Sequence, residues 1–263
     1  MFKKIIRIIL LKIFRRENIF IKFLSTLKGS FSTIRWIKKI SFKYSIILIP
    51  KIIYGHYFRN KNIETFSKNE KKLYFDNKYR FNYDDWFSIN IIYWEKIVNK
   101  ISKIKYLEIG SFEGRSTVFI KELGNLESLM TIDTFEGSDE HKNIDFKKVY
   151  ENFKYNLNLG GGGDKNISFL KTNSDDFFNN NKNHYNLIYI DGSHHYEQVK
   201  KDFINSFNFL ENNGYIICDD FMWFYYDEIE LNPMKAILDC YELYKKELSV
   251  EFLYHQIIFK KII

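Results

Sequence analysis

The chain contains few cysteines and prolines, and it lacks any long apolar run. Its 263 residues include two cysteines and two prolines. Cys218 and Cys240 form no spaced disulfide framework, which disfavours a secreted protein and predicts a reducing, cytoplasmic setting. No charge-free stretch approaches the roughly 20 apolar residues that a bilayer span requires, so no transmembrane helix is predicted. Arg7 and Lys12 also interrupt the apolar core that a secretory signal would need.

The first 60 residues are nearly free of acidic side chains. They hold fourteen Lys or Arg residues against the single acid Glu17, whereas residues 61–263 carry 26 basic and 32 acidic residues. Residues 1–57 mix these cations with Ile, Leu and Phe, which predicts helices that pack on a larger domain and expose a basic face. The alternative is a basic amphipathic surface that rests peripherally on anionic lipid at the inner membrane surface, or meets a lipid-linked substrate. The acidic balance of the remainder argues against a nucleic-acid channel there.

The domain boundary is placed at a polar segment. Residues 58–80 have few apolar anchors and are predicted to form a linker or mobile flap, so that the predicted domains are residues 1–80 and 81–263. A helix that covers a sheet is predicted next, from large side chains at helical spacing: Trp86, Ile89, Tyr93 and Ile97. The four-glycine run at 160–163 lacks the Gly-Lys-Ser/Thr ending of a phosphate loop and is interpreted as a flexible connector.

Strand-like and helix-like segments alternate beyond residue 100. The strand-like runs are residues 105–109, 129–133, 167–171, 185–190 and 214–218. Such alternation predicts parallel strands joined by right-handed helical crossovers, in a doubly wound, Rossmann-like α/β sheet. A helix over residues 233–246 is followed by two further runs, 249–254 and 256–262, which are predicted to add an antiparallel pair and to give seven strands.

The end of the first predicted strand carries an acid and two glycines. Glu108, Gly110 and Gly114 form an acidic-x-Gly-x-x-x-Gly turn, and glycine lets the backbone approach a ligand closely and adopt a positive φ. A nicotinamide fingerprint would need a further glycine where Phe112 stands. The acid suits a cationic or hydrogen-bond-donating ligand better than a pyrophosphate. The turn is therefore interpreted as a ligand site, with a purely structural turn as the alternative.

The next two strand ends carry residues suited to a nucleoside. Ligands bind beyond the carboxyl ends of the strands in an open α/β sheet, and Asp133 ends the second strand, where a carboxylate can accept ribose hydroxyls. Ser174 and Asp175 follow the third strand. This pair can hydrogen-bond an adenine edge, although a helix N-cap explains it equally well.

The fourth and fifth strands end in a cluster of acids. Asp191 follows one strand, and Asp219 and Asp220 follow the next, so the three carboxylates should converge if the strands are neighbours. Carboxylates this close repel unless a proton or a cation neutralises them, and Mg²⁺ prefers oxygen ligands. His194 is predicted to accept a proton beside this cluster, because histidine titrates near neutral pH. His195 is the weaker candidate, and the acids at 219 and 220 have chain capping as an alternative role.

Four motifs together resemble a known family. Residues 107–117, 132–137, 190–194 and 219–221 resemble class I S-adenosylmethionine (SAM)-dependent methyltransferases, and within that class the macrocin-type sugar O-methyltransferases. The resemblance covers the chain from about Phe81 onward, and residues 1–80 lie outside it. It implies a catalytic base at His194, working beside Asp191, and Mg²⁺ on Asp191, Asp219 and Asp220. The cofactor residues that the resemblance implies are Glu108, Gly110, Ser111, Gly114, Ser116, Asp133, Thr134, Ser174, Asp175 and Asp191.

The function expected from these observations is O-methylation. A sugar or other acceptor with vicinal hydroxyls would bind Mg²⁺, His194 would remove the hydroxyl proton, and the oxygen would attack the SAM methyl group. Aromatic residues in the loop at 221–226 either wall the acceptor site or pack internally. The alternatives are a metal-independent methyltransferase acting on nucleic acid or a small amine, and a non-catalytic scaffold of the same fold. The sequence leaves the acceptor and the oligomeric state, including a homo-oligomer, undetermined.

Overall fold

The computed structural model describes residues 2–74, 78–138, 141–159 and 166–262, and it gives no side-chain environment for residues 2–20 and 63–74. The glycine run at 160–163, interpreted above as a connector, lies outside the described residues. Residue contacts divide the chain into two compact units, Met1–Glu64 and Thr65–Ile263. Each unit is described below by itself.

The second unit contains one seven-stranded sheet. Its strands are β1 (Ile104–Ile109), β2 (Leu126–Asp133), β3 (Asn166–Lys171), β4 (Tyr185–Ile190), β5 (Leu210–Cys218), β6 (Leu248–Leu253) and β7 (Ile257–Lys261). The spatial order is β3-β2-β1-β4-β5-β7-β6. Strands β1 to β5 pair in parallel, while β7 is antiparallel to both β5 and β6. The predicted doubly wound, Rossmann-like sheet of seven strands is confirmed.

Helices connect the strands of this sheet. They are α4 (Ile91–Val98), α5 (Arg115–Lys121), α6 (Phe146–Asn158), α7 (Ser174–Asn180), α8 (Tyr196–Asn208) and α9 (Pro233–Tyr244). The strand order reverses between β1 and β4, because β2 and β3 lie on one side of β1 and the later strands lie on the other. A ligand crevice is expected where the order reverses, at the carboxyl ends of the strands.

The helix predicted from Trp86 onward begins later than expected. A single 3-10 turn at Ser88–Asn90 leads into α4, whose side chains Tyr93 and Ile97 are buried. Trp94 is fully buried and packs edge-to-face on Tyr189, with ring centroids 4.7 Å apart. Trp86 is 53% exposed and precedes the helix, so the prediction that it belongs to the core was wrong. Hydrophobic spacing alone did not show where the helix begins.

The first unit is built from helices. They are α1 (Phe2–Ile40), α2 (Phe42–Ile47) and α3 (Ile49–Tyr74), the last of which extends past the boundary between the two units. The prediction of a linker over residues 58–80 was wrong as far as Tyr74, because that segment is helical. It contains neither glycine nor proline, and Lys and Glu are good helix formers even without apolar anchors. Within the described residues, none of the helices combines the length and apolar character that a bilayer crossing needs.

Candidate active site

A cavity of about 560 Å³ lies at the carboxyl ends of the central strands. Seven of the residues predicted for the site line it: Gly110, Asp133, Thr134, Ser174, Asp175, Asp191 and His194. These residues lie at or just beyond the carboxyl ends of the strands: Asp133 ends β2, Gly110 and Asp191 directly follow β1 and β4, and Ser174 and Asp175 begin α7 after β3. The cavity therefore occupies the crevice that the reversal of strand order creates.

Gly110 is the point where β1 approaches the end of β4 most closely. Its φ is +86°, and a Cβ atom at this position would stand 1.9 Å from the backbone oxygen of Asp191. The Gly110 N–H donates to the Ile132 carbonyl at 2.8 Å, and the Asp191 N–H donates to the Ile109 carbonyl at 2.8 Å. Only glycine satisfies both the conformation and the space. The glycine requirement inferred from the sequence therefore has a specific steric cause.

Asp133 organises the turn that follows β1. Its Oδ2 accepts the N–H groups of Ser111, at 2.7 Å, and Phe112, at 2.9 Å, and its Oδ1 accepts the N–H of Phe135 at 2.6 Å. Burial raises the pKa of Asp133, against the opposing effect of these bonds. Because a carboxylate has about four lone-pair positions, roughly one remains for a ligand hydroxyl. Asp133 thus shapes the cavity wall and keeps about one free acceptor position.

Glu108 does not line the cavity, which corrects the prediction that it contacts the cofactor. Its side chain is fully buried and accepts hydrogen bonds from hydroxyls, among them Thr131 Oγ1 at 2.9 Å and Tyr106 OH at 3.1 Å. Ser116 and Thr117, in the first turn of α5, supply two more. Burial raises the pKa of Glu108. Its role in the structure is to fix α5 against β1 and β2.

Three further predicted cofactor residues support the cavity from behind. Ser116 is occupied with Glu108, and the Ser111 hydroxyl is hydrogen-bonded to Thr131. Gly114 begins α5 in the left-handed conformation, with φ of +84°. None of the three is among the residues that line the cavity. They lie behind the cavity wall and position the backbone of the glycine turn.

Ser174 and Asp175 meet a residue that the sequence analysis missed. Gln198, in the first turn of α8, donates its Nε2 protons toward Ser174 Oγ at 3.0 Å, Asp175 Oδ1 at 3.1 Å and Asp202 Oδ1 at 3.0 Å. The N-cap of α7 is Asn173, not the Ser174–Asp175 pair. Gln198 and Asp202 both line the cavity. Gln198 and Asp202 are four residues apart on a helix that follows the motif at residues 191–194. This spacing was the sequence signal that could have placed both of them at the site.

The buried carboxyl of Asp202 gives a pH-dependent prediction. Burial raises the pKa of Asp202 from 3.8 to about 6, so the folded chain keeps a proton that the unfolded chain loses. The contribution to stability is complete below pH 3.8 and is lost as the pH rises through about 6. Asparagine mimics the protonated acid and does not titrate. Asp202→Asn is therefore expected to be about 2–3 kcal/mol more stable than wild type above about pH 7, and nearly equal to it near pH 4.

Urea denaturation at the two pH values measures this difference. Asp227→Asn, at an exposed position, is the matched control and should show no such pH dependence. A variant at position 202 that is less stable than wild type at neutral pH would contradict the prediction.

Asp191, His194 and Asp220 converge at the rim of the cavity. Each offers one ligand atom, and these atoms all lie within 4.8 Å of one another. His194 Nε2 lies 2.8 Å from Asp220 Oδ2. Burial, followed by the charges of Asp219 and Asp220, raises the pKa of Asp191 well above its ordinary value. A proton or a cation bound here would relieve this repulsion.

Asp219, which was predicted as a metal ligand, is not among the described residues whose ligand atoms converge here. Its Oδ1 accepts the Asp220 N–H at 2.8 Å, and its Oδ2 accepts Gln256 Nε2 at 2.8 Å together with the Tyr189 hydroxyl. Burial and the neighbouring Asp220 raise the pKa of Asp219 to about 7. Tyr189 also donates to Asp191 Oδ2 at 2.8 Å, so it separates the two carboxylates. Asp219 belongs to a polar network inside the domain.

The two neighbouring histidines have different positions. His195 is the N-cap of α8, where its Nδ1 accepts the Glu197 N–H at 3.4 Å. His194 lines the cavity and packs against Trp223, with ring centroids 4.6 Å apart. Trp223 stacks on Tyr225 at 5.5 Å, whereas Phe221 is fully buried. The loop after β5 thus contributes both to the core and to an aromatic wall beside His194.

A second group of aromatic side chains also lines the cavity. Trp86 lies 5.2 Å from Phe112 and 5.9 Å from His141, measured between ring centroids, and all three line the cavity. Phe112 has a φ of +49°, and Asp220 has a φ of +56°. Left-handed backbone is uncommon for residues with side chains such as these, and it concentrates at functional sites. Phe112 lies three residues after the end of β1, and Asp220 lies two residues after the end of β5.

Acidic side chains dominate the charge of the cavity. Five aspartates line it: Asp133, Asp175, Asp176, Asp191 and Asp202. No Lys or Arg occurs among its described lining residues. Such a surface favours a ligand that carries positive charge and disfavours a phosphate group.

Comparison with known proteins gives one family match. The seven-stranded sheet carries the cavity at the carboxyl ends of its parallel strands, with β7 as an antiparallel strand between β5 and β6. Residues 107–221, which include β1 to β5, match the family described as a methyltransferase domain. This part of the chain is therefore similar to methyltransferase domains.

Individual relatives are distant. Protein R132 of Acanthamoeba polyphaga mimivirus, itself uncharacterized, is 27% identical over 134 residues, which cover 48% of this chain and 57% of that protein. Among solved structures, an O-methyltransferase from Bacillus cereus in complex with SAH shows a TM-score of 0.47 at 15% identity, covering 76% of this chain and 91% of that chain. The O-methyltransferase TomG from Streptomyces achromogenes, in complex with SAM, shows 0.44 at 10% identity, covering 61% and 74%. The chain spans just over half the length of the curated relative.

Proposed function

We propose that this domain transfers a methyl group from SAM to a hydroxyl of a sugar or another small acceptor with vicinal hydroxyls. The observation that carries the proposal is the convergence of Asp191, His194 and Asp220 beside the cavity. SAM is proposed to bind over Gly110, with its ribose toward Asp133 and its adenine toward the Ser174–Asp175 segment. The acidic cavity supports this assignment, because the sulfonium and ammonium groups of SAM are cationic.

His194 is proposed as the group that deprotonates the acceptor. The Asp220 carboxylate beside its Nε2 orients the imidazole and stabilises the cation that forms when the ring takes a proton. The acceptor oxygen then forms a bond to the SAM methyl carbon while the bond from that carbon to sulfur breaks. The products are a methyl ether, the demethylated cofactor and a proton on His194.

The donor atoms at the rim fit a divalent cation. Asp191 and Asp220 offer carboxylate oxygens, and the pKa of Asp191 is raised by burial and then by the charges of Asp219 and Asp220, whose repulsion a cation would relieve. Oxygen donors suit Mg²⁺, and His194 is left to act as the base. A cation held by these residues would lower the pKa of a bound acceptor hydroxyl and orient it. Asp219 has no part in this proposal, since its oxygens accept three hydrogen bonds inside the domain.

The aromatic walls support a sugar as acceptor. Trp86 and Tyr225 are 53% and 43% exposed, and Trp223 packs on His194. Aromatic faces at the mouth of a pocket provide apolar contact for a sugar ring, while a few polar groups form hydrogen bonds with its hydroxyls. The lack of Lys and Arg among the described lining residues does not favour a nucleic-acid acceptor.

Separate substitutions of the adjacent residues Asp219 and Asp220 test the proposed cation site. Asp220→Asn is expected to lower divalent-ion stimulation of methyl transfer at least about tenfold, and Asp219→Asn should leave the ion concentration for half-stimulation nearly unchanged. The assay uses methyl-labelled SAM, a panel of sugars, diols, amines and RNA, and a chelator. Methylation of amines or RNA alone, or chelator-insensitive transfer to sugars, would contradict the corresponding part of the proposal.

A further inference from the structure

Large apolar side chains cover the outside of the N-terminal unit. Ten of them are more than a third exposed: Ile21, Phe23, Leu24, Phe31, Phe42, Ile46, Ile47, Ile53, Tyr54 and Tyr57. Phe31 and Phe42 are 68% and 63% exposed. Scattered apolar residues are normal on a protein surface, but a concentration of this size within 37 residues marks an interaction surface.

The interior of the same unit is polar at one end. Thr26, Ser30 and Thr33 are buried on α1. Thr33 Oγ1 lies 3.0 Å from His56 Nε2, and Asn60 Nδ2 donates to Thr26 Oγ1 at 3.0 Å, so α1 and α3 are joined by side-chain hydrogen bonds.

Close helix contact accompanies these bonds. A Cβ atom at Gly29 would stand 2.4 Å from the His56 ring, so the small residue is required for the approach of the two helices. Helices in water normally bury large apolar side chains and expose polar ones. The rest of the interior is apolar, with Ile37, Leu48 and Ile52 buried. The exposed apolar side chains therefore lie outside a core that is already formed, and they leave apolar area on the surface for an apolar phase to cover.

The charge of this surface has one sign. Residues 21–60 contain eight Lys or Arg and no Asp or Glu. A depression of about 430 Å³ on α1 is lined by Phe31, Ser32, Arg35, Trp36 and Lys39. Lys39 Nζ lies 3.7 Å from the centre of the Trp36 ring. Trp beside cations is characteristic of the boundary between lipid headgroups and acyl chains.

We propose that residues 21–60 dock on the surface of an anionic phospholipid bilayer. The apolar side chains enter the boundary between headgroups and acyl chains, and the cations contact the phosphates. The surface lies on the membrane, in keeping with the finding that no described helix could cross one. Charge decides between lipid and a second copy of the chain, because pairing two such surfaces would bring like charges together. The proposal does not depend on methyl transfer.

Co-sedimentation of the full chain with vesicles tests the proposal, without SAM or acceptor. Binding is expected with vesicles of phosphatidylcholine mixed with phosphatidylglycerol, and only weakly with phosphatidylcholine alone. Raising the salt concentration to about 1 M should weaken binding, because it shortens the screening length to roughly 3 Å.

Paired variants distinguish the two contributions. Arg35→Gln with Lys39→Gln, and Phe31→Ser with Phe42→Ser, are each expected to weaken binding to the mixed vesicles at least about tenfold. The control is Leu243→Ser with Lys246→Gln, which removes one exposed apolar residue from the end of α9 and one exposed cation from the turn that follows it, and should leave binding unchanged. Circular dichroism confirms that each variant is folded.

Three results would overturn the proposal. They are no sedimentation with mixed vesicles, equal losses in the control and test pairs, and concentration-dependent dimers that the phenylalanine variants abolish while vesicles are not bound. The last result, seen by sedimentation equilibrium, would assign the surface to a second copy of the chain.

Discussion

Replacing His194 with alanine is expected to slow methyl transfer about 10²–10⁴-fold while SAM affinity changes little. The imidazole stands at the cavity rim with Asp220 at 2.8 Å, which is the geometry of a base held by a carboxylate. Losing it removes proton transfer but none of the residues proposed to hold the cofactor. Single-turnover rates with labelled SAM, and calorimetric titration of SAM, measure the two quantities separately.

His195→Ala is the matched control for this prediction. His195 caps α8 and does not line the cavity, so its replacement should cost stability more than rate. Added imidazole should partly restore the His194→Ala rate and should leave the control unaffected, since a purely structural histidine gives no such rescue. A His194→Ala enzyme within about tenfold of the wild-type rate would show that another group accepts the proton.

Gly110→Ala is expected to lower the free energy of unfolding by about 2–4 kcal/mol and to abolish measurable SAM binding. The added methyl group would stand 1.9 Å from the Asp191 carbonyl oxygen, which is backbone and cannot move aside without separating β1 from β4. The φ of +86° adds strain for any residue with a side chain. Urea denaturation and SAM titration measure the two effects.

Gly124→Ala provides the control, because no atom lies within 4 Å of a Cβ at that position. Its stability should match wild type closely. Normal SAM affinity in Gly110→Ala would show that the turn after β1 does not cradle the cofactor, even if the variant is less stable.

The fold was predictable because its signals are local. Each strand is an apolar or β-branched run bounded by polar residues, and the alternation with helices specifies a parallel sheet. The sequence shows where β1, β2, β3 and β4 end. The prediction that Gly110, Asp133 and Asp191 lie in the crevice beyond these strand ends is therefore confirmed. The three residues need no long-range information beyond the order of the strands.

The failures concern side chains whose direction depends on distant partners. Asp219 and Asp220 are adjacent in sequence but have different partners. Asp220 has a left-handed φ, and its carboxylate lies beside His194. Asp219 instead accepts a hydrogen bond from Gln256, which is 37 residues away. The buried side chain of Glu108 accepts hydrogen bonds from hydroxyl groups of α5 and β2. A single sequence offers no means of ranking two neighbouring acids when the deciding partner lies on another element.

Two other predictions were wrong because they relied on hydrophobic spacing or on polar composition alone. Trp86 fitted a helical apolar pattern but precedes α4 and borders the cavity. The polar composition of residues 58–80 predicted a linker or mobile flap, but as far as Tyr74 good helix formers with no Gly or Pro form the end of α3. Periodicity reports which residues are suited to a core, and it does not exclude a polar helix or an exposed tryptophan.

The position of β7 has a consequence for the order of assembly during synthesis. β7 follows every other strand along the chain, yet it lies between β5 and β6 in the sheet. Gln256, just before β7, joins Trp94 Nε1 at 2.8 Å to Asp219, beneath the catalytic rim. Until that segment leaves the ribosome, β5 presents an open edge and the rim lacks its support. A nascent chain stalled before residue 256 should therefore be unable to methylate and should recruit chaperones.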